Sequence, residues 1–120
     1  MMPHVIVCED EKFIRWALAE HLRSSGYEVE EAENGLECLS LVEKKVPDII
    51  LLDLRMPKMD GTATLKLLRE KGVKTPVFIL SGFGAAGSNT EATELGAQGF
   101  IAKPYHLSEI SQLLEATLQN

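Results

Sequence analysis

Pro47-Asp48-Ile49-Ile50-Leu51-Leu52-Asp53-Leu54-Arg55-Met56-Pro57 is the stretch whose reading decides the fold. Ile49 to Leu52 are apolar without alternation. A strand with one wet face alternates apolar and polar residues, whereas an unbroken apolar run belongs to a parallel sheet covered by helices on both faces. The run is far too short to span a membrane.

Working outward, similar short runs appear at Val5-Ile6-Val7-Cys8, at Val77-Phe78-Ile79-Leu80 after Pro76, and at Gly99-Phe100-Ile101-Ala102. Tyr27 to Glu31 alternates, with Tyr27 and Val29 on one face. Helical patterns fill the intervals. Phe13, Ile14, Ala17, Leu18, His21 and Leu22 recur at helical spacing and Gly26 closes that helix. Asn34-Gly35 turns into a helix carrying Leu36, Leu39 and Val42. Thr62 is the expected cap of a helix holding Leu65, Leu67 and Leu68, ending near Gly72. A weaker helix runs to Leu95-Gly96, and Leu107, Ile110, Leu113, Leu114 and Leu118 stripe the last one. Five strands alternating with five helices predict an α/β fold, a three-layer doubly wound parallel sheet. Five units fit the flavodoxin-like strand order 2-1-3-4-5 better than a six-stranded dinucleotide-binding domain.

The 120 residues suit one domain, expected to occupy 1–120 with no output domain in the chain. Eighteen acidic against 12 basic residues give a charge of −6 and a pI near 5.0, which argues against a basic surface for nucleic acid or acidic lipid. Glu9, Asp10, Glu11 and Lys12 interrupt any N-terminal apolar signal, so the expected location is cytoplasmic. Cys8 and Cys38 form neither a disulfide framework nor a zinc pattern and read as buried or half-buried free thiols.

In such a sheet, ligands bind beyond the carboxyl ends of the strands, where strand order reverses. The residues there are Glu9-Asp10 after the first strand, Asp53 after the third, Ser81 after the fourth and Lys103-Pro104 after the fifth. Each has an ordinary explanation alone: a helix cap, a loop aspartate, a turn serine, a solvated lysine. Together they fall on one edge of one sheet. Converging carboxylates raise one another's pKa unless a cation joins them. Mg²⁺ suits a few carboxylates with retained waters. With a lysine and a hydroxyl added, the set makes a receptacle for a phosphoryl group, with a carboxylate as nucleophile.

On Glu9-Asp10, Asp53-Leu54-Arg55-Met56-Pro57 with Met59-Asp60-Gly61, Ser81-Gly82 and Lys103-Pro104, the chain resembles the receiver domains of bacterial two-component response regulators over essentially its full length. Ile14-Arg15-Trp16-Ala17-Leu18 is most similar to receivers of nitrogen-regulator-type enhancer-binding activators. The resemblance implies that Asp53 accepts a phosphoryl group from a sensor histidine kinase or phosphotransfer protein. It implies Mg²⁺ held by Asp10, Asp53 and the Arg55 backbone carbonyl, with Glu9 acting through water. Ser81 and Lys103 would hold phosphoryl oxygens, Ser81 and Phe100 would form the switch, and a cis Lys103-Pro104 bond is expected. The fourth helix, fifth strand and fifth helix would then present a changed face to an output partner or domain, with homodimerisation on phosphorylation as one outcome. No direct contact with nucleic acid or membrane is implied. Such a domain assists only its own phosphorylation and dephosphorylation and is not expected to be an enzyme. Glu9, Ser81 and Phe100 stand where the family often has Asp, Thr and Tyr.

Two other function classes are weighed against this one. A phosphohydrolase would want a general acid two residues beyond Asp53, where the chain has Arg55. A degenerate, phosphorylation-independent interaction module would not need the intact residue set. Gly82-Phe83-Gly84-Ala85-Ala86-Gly87 spells a dinucleotide fingerprint, but after the fourth strand and without a suitably placed acid. Trp16 falls opposite the apolar stripe, among Lys12, Ala19 and Arg23, and reads either as a partner contact or as a ring lying along the helix surface.

Overall fold

The structure is a computed structural model that describes residues 2–81 and 92–119. The Gly-rich segment 82–87, Phe83 and the Ser81 side chain lie outside the described part, as does most of the expected fourth helix. Strands β1 (His4–Cys8), β2 (Glu28–Ala32), β3 (Ile49–Asp53), β4 (Val77–Ser81) and β5 (Gly99–Ala102) form one parallel sheet in the order β2-β1-β3-β4-β5. Helices α1 (Lys12–Ser24), α2 (Gly35–Lys44), α3 (Gly61–Glu70) and α5 (Leu107–Leu118) cover it, and residues 92–94, labelled α4, are helical. The doubly wound, flavodoxin-like fold with strand order 2-1-3-4-5 is the one the sequence predicts.

Alternation along the buried strands divides the core in two. Val5, Val7, Ile49 and Leu51 pack with Leu18 and Leu22 of α1 and Ile110 and Leu114 of α5. Ile6, Cys8, Ile50 and Leu52 face the other way, onto Cys38 and Val42 of α2, Leu65 and Leu68 of α3, and Ala92. Cys8 and Cys38 are free thiols within that second layer, and burial, reinforced by Cys38, pushes the Cys8 thiol up.

Three local expectations change. The buried face of α1 is Arg15, Leu18, Ala19 and Leu22, while Phe13 is 75% exposed and Ile14 is half out. Hydrophobic spacing favours Phe13, but the guanidinium of Arg15 finds a carbonyl and two carboxylates near the sheet and takes the inward place. Asp60, not Thr62, caps α3, its side chain accepting from the Ala63 N–H at 2.8 Å. Leu36 is exposed, since α2 packs through Gly35, Cys38 and Val42. A Cβ on Gly35 would overlap the Thr64 hydroxyl of α3, so this helix contact requires glycine. Among the described residues no helix is long and apolar enough to cross a membrane.

Candidate phosphoacceptor site

Strand register sets the site before any side chain does. Cys8 pairs with Leu52, so the next residues, Glu9 and Asp53, come level where strand order reverses. Ser81 pairs with Ala102, which brings Lys103 to the same edge. Glu9, Asp10 and Asp53 each offer a carboxylate oxygen, and these oxygens lie within 4.8 Å of one another. Glu9 and Asp53 are buried and Asp10 is exposed.

The capping alternative for Glu9-Asp10 does not hold. Glu11 is the N-cap of α1, its carboxylate accepting from the Ile14 N–H at 3.0 Å. Neither Glu9 nor Asp10 is the cap, although Glu9 Oε2 accepts from the Glu11 N–H at 3.2 Å.

Lys103 ties the cluster together. Its Nζ donates to Glu9 Oε1 at 2.6 Å and lies 3.3 Å from Asp53 Oδ2. The Glu9 carboxyl is nevertheless raised above its ordinary range, first by burial and then by the neighbouring Asp53, with Lys103 opposing. Burial alone would lower the Lys103 ammonium, but Glu9 and Asp53 outweigh it and hold it above its ordinary value. One ammonium among three acids leaves negative charge uncompensated, and the donor set is hard oxygen throughout. That combination fits a divalent cation of the Mg²⁺ kind.

Around this centre, the Arg55 N–H donates to Asp53 Oδ1 at 3.3 Å, and the Lys103-Pro104 bond is cis. An open cleft of about 580 Å³ lies alongside, lined by Asp10, Leu54, Arg55, Met56, Pro57, Asp60 and Thr62. Phe100, on β5, is 37% exposed and contributes with Pro104 and Ile110 to a second cleft on the β5–α5 face. Ser81 ends β4 at the same edge as Lys103. Trp16 is 57% exposed on the solvent side of α1. His21, on the apolar stripe of α1, is held by Ser111 of α5.

Two residues escaped the sequence reading. Tyr105, two residues beyond Lys103, buries its hydroxyl without a hydrogen-bond partner among the described residues, and burial followed by the charges of Glu9 and Asp53 pushes it up to about 12. Arg15 bonds the Glu9 carbonyl. A tyrosine in a loop carries no pattern that would have marked it, and Arg15 stands out only as part of the Ile14 to Leu18 run, with nothing to tie it to the acidic residues.

Known proteins are similar to this chain. The chain is 34% identical over 116 residues to the DNA-binding transcriptional regulator NtrC of Escherichia coli K12, covering 97% of this chain and 25% of that one. It is 34% identical over 118 residues to sporulation initiation phosphotransferase F of Bacillus subtilis, covering 98% of this chain and 95% of that one. The structure of the Francisella response regulator 1452 receiver domain superposes with a TM-score of 0.90 at 29% identity, covering 98% of this chain and 97% of the other. The chain spans between a quarter and about half the length of several other curated relatives. The likeness to nitrogen-regulator receivers read from the sequence is borne out by the match to NtrC. Residues 5–115 match the response regulator receiver domain as a family, and the chain belongs to it, as a signalling domain of two-component systems.

Proposed function

We propose that Asp53 is the phosphoacceptor, taking a phosphoryl group from a phosphohistidine on a sensor kinase or phosphotransfer protein. The observation that carries this reading is the placement of Lys103 Nζ between Glu9 Oε1 and Asp53 Oδ2, two of three carboxylates that converge with Asp10. An Asp53 oxygen attacks phosphorus, the P–N bond breaks, and the electron pair leaves with the imidazole, which takes a proton from solvent. The product is an acyl phosphate on Asp53.

Asp10, Asp53 and the Arg55 backbone carbonyl would hold Mg²⁺, with Glu9 acting through water. When bound, the ion neutralises charge on the phosphoryl oxygens. Lys103 supplies the protein's own positive charge, exchanging its Asp53 contact for a phosphoryl oxygen, while Ser81 offers a hydroxyl donor from β4. Rearrangement of Ser81 and Phe100 then changes the face formed by α4, β5 and α5, biasing a two-state equilibrium seen by an output partner or domain. The domain works on itself and processes no separate substrate.

Intact-protein mass after incubation with a small acyl phosphate and Mg²⁺ tests this reading. One added phosphoryl group on the wild type is expected, absent from Asp53→Asn and absent with chelator. An unmodified wild type would favour the phosphorylation-independent interaction module, and turnover of phosphomonoesters would favour a phosphohydrolase.

A further inference from the structure

Glu9 lies one residue beyond β1, where the chain leaves the sheet and its backbone loses the ladder. Its N–H still donates to the Ala32 carbonyl of β2, at 3.0 Å. Its carbonyl, turned towards α1, is bonded by Arg15 Nη1 at 2.8 Å in a buried contact. Arg15 Nε lies 3.3 Å from Glu31 Oε1 and Nη2 lies 3.5 Å from Glu33 Oε1. The residue is itself only 7% exposed.

Neither carboxylate depends on this arginine. Glu31 has a second cation in Arg23, at 3.3 Å, and the Glu33 side chain is 64% exposed to water. The group left without a partner by removing Arg15 would be the Glu9 carbonyl. An unpaired buried carbonyl turns towards water if it can. Here that means rotating the peptide between Glu9 and Asp10, which alters the turn from which both carboxylates project. The fork geometry of a guanidinium, with donors on three nitrogens, is what lets one side chain tie α1, the end of β1 and the acidic end of β2 together.

We propose that Arg15 is a positioning residue of the acidic site: bonded to the Glu9 carbonyl and flanked by Glu31 and Glu33, it fixes the turn that aims Glu9 and Asp10 at Asp53. This rests on the metal-dependent phosphoacceptor reading for its consequence, though not for its geometry. The sign of the effect separates positioning from charge. Through space, the Arg15 cation repels a metal ion, so removing that charge alone would tighten Mg²⁺ binding. Losing the turn's geometry weakens it.

The test titrates the full chain with magnesium chloride by calorimetry, for wild type, Arg15→Met and Arg15→Lys, well below each unfolding temperature. Arg15→Met is expected to raise the Mg²⁺ dissociation constant by about tenfold, the lower range for groups that orient metal ligands. Arg15→Lys keeps the charge but not the fork and should fall between, which also decides the matter if Arg15→Met does not fold. Unchanged or tighter binding in the folded variants overturns the proposal. A second readout uses metal-free protein: amide exchange at Glu9 and Glu11 should accelerate by about tenfold in the variants while Ile110 and Leu114 in α5 stay protected. Uniform acceleration, or none, also overturns it. If the wild type binds no Mg²⁺, the metal reading fails, and the exchange pattern still decides what Arg15 does.

Discussion

Gly61, the first residue of α3, stands against the backbone of Asp53 so closely that a Cβ there would overlap the Asp53 carbonyl oxygen and come within 2.8 Å of the Leu54 Cα. The Gly61 N–H also donates to the Leu54 carbonyl at 2.9 Å. The helix start is thus a brace behind the end of β3, and the brace consists of backbone, which cannot swing aside as a side chain can. Gly61→Ala is expected to destabilise the fold by about 2 kcal/mol through overpacking. It should also slow phosphoryl uptake at Asp53, because relief of the overlap shifts that residue. Urea unfolding and the rate of mass gain with a small acyl phosphate check the two effects.

Glu9 is expected to make Mg²⁺ binding depend on pH. Its carboxyl is raised, by burial first and by Asp53 next, so protons compete with a cation above the ordinary carboxylate range. Mg²⁺ affinity is expected to weaken as pH falls through that raised value, by up to about tenfold per pH unit for one linked proton. Calorimetric titration with magnesium chloride across pH 5–8 follows the slope; the flat alternative is an affinity that does not change over the interval. In the metal-free protein, a raised carboxyl contributes stability that is complete below its unfolded value, near 4.5, and is lost as pH rises through its folded value. Chelated protein should therefore lose this contribution on going from acid to neutral pH, and added Mg²⁺ should offset the loss.

Tyr105 carries a buried hydroxyl with no partner among the described residues, next to charges that favour its neutral form. Deleting an unsatisfied buried polar group removes a desolvation cost, so Tyr105→Phe is expected to stabilise the unphosphorylated protein by about 1 kcal/mol. The sign with pH follows from the raised value. Neutral Tyr105 contributes nothing that varies below pH 10, and stability falls as pH rises from 10 to about 12. Lys103, also raised, loses its contribution as pH climbs through its folded value above 10.5. Tyr105→Phe should thus shallow the alkaline decline without abolishing it, as read from urea midpoints at a series of pH values.

Arg69 in α3 bonds four backbone carbonyls. Nη1 reaches Val73 at 2.7 Å and Thr75 at 3.1 Å, Nη2 reaches Gly96 at 3.0 Å, and Nε reaches Leu95 at 3.3 Å. It therefore pins the chain after α4 to the end of α3. A lysine offers one compact ammonium in place of the fork. Arg69→Lys is expected to cost about 2 kcal/mol, on the scale of hydrogen bonds to a charged donor. Thermal and urea unfolding measure it, and a loss indistinguishable from zero would show that water replaces the fork.

Much of this was readable in the chain. Unbroken apolar runs such as Ile49 to Leu52 carry their own assignment, because only a doubly covered strand hides both faces. Once five strands alternate with five helices, handedness and strand order bring Glu9, Asp10, Asp53 and Lys103 to one edge. Legibility ended where a polar residue's partner comes from a distant segment. Thr62 and Asp60 are both good caps in sequence, and only the turn before α3 selects Asp60. The α1 pattern offered Phe13 to the core, yet the structure exposes Phe13 and buries Arg15.

The chain by itself thus determined the layers, the strand order and the identity of the residues at the carboxyl edge of the sheet, because periodicity and strand burial are local properties repeated along it. Tertiary structure alone decided that Lys103 bridges Glu9 and Asp53, that Arg15 turns inward to the Glu9 carbonyl, and that the Tyr105 hydroxyl goes without a partner among the described residues. The physical reason is common to all three. A charge or hydroxyl is placed by the partners that compensate its loss of water, and those partners arrive only when segments far apart in sequence have folded together.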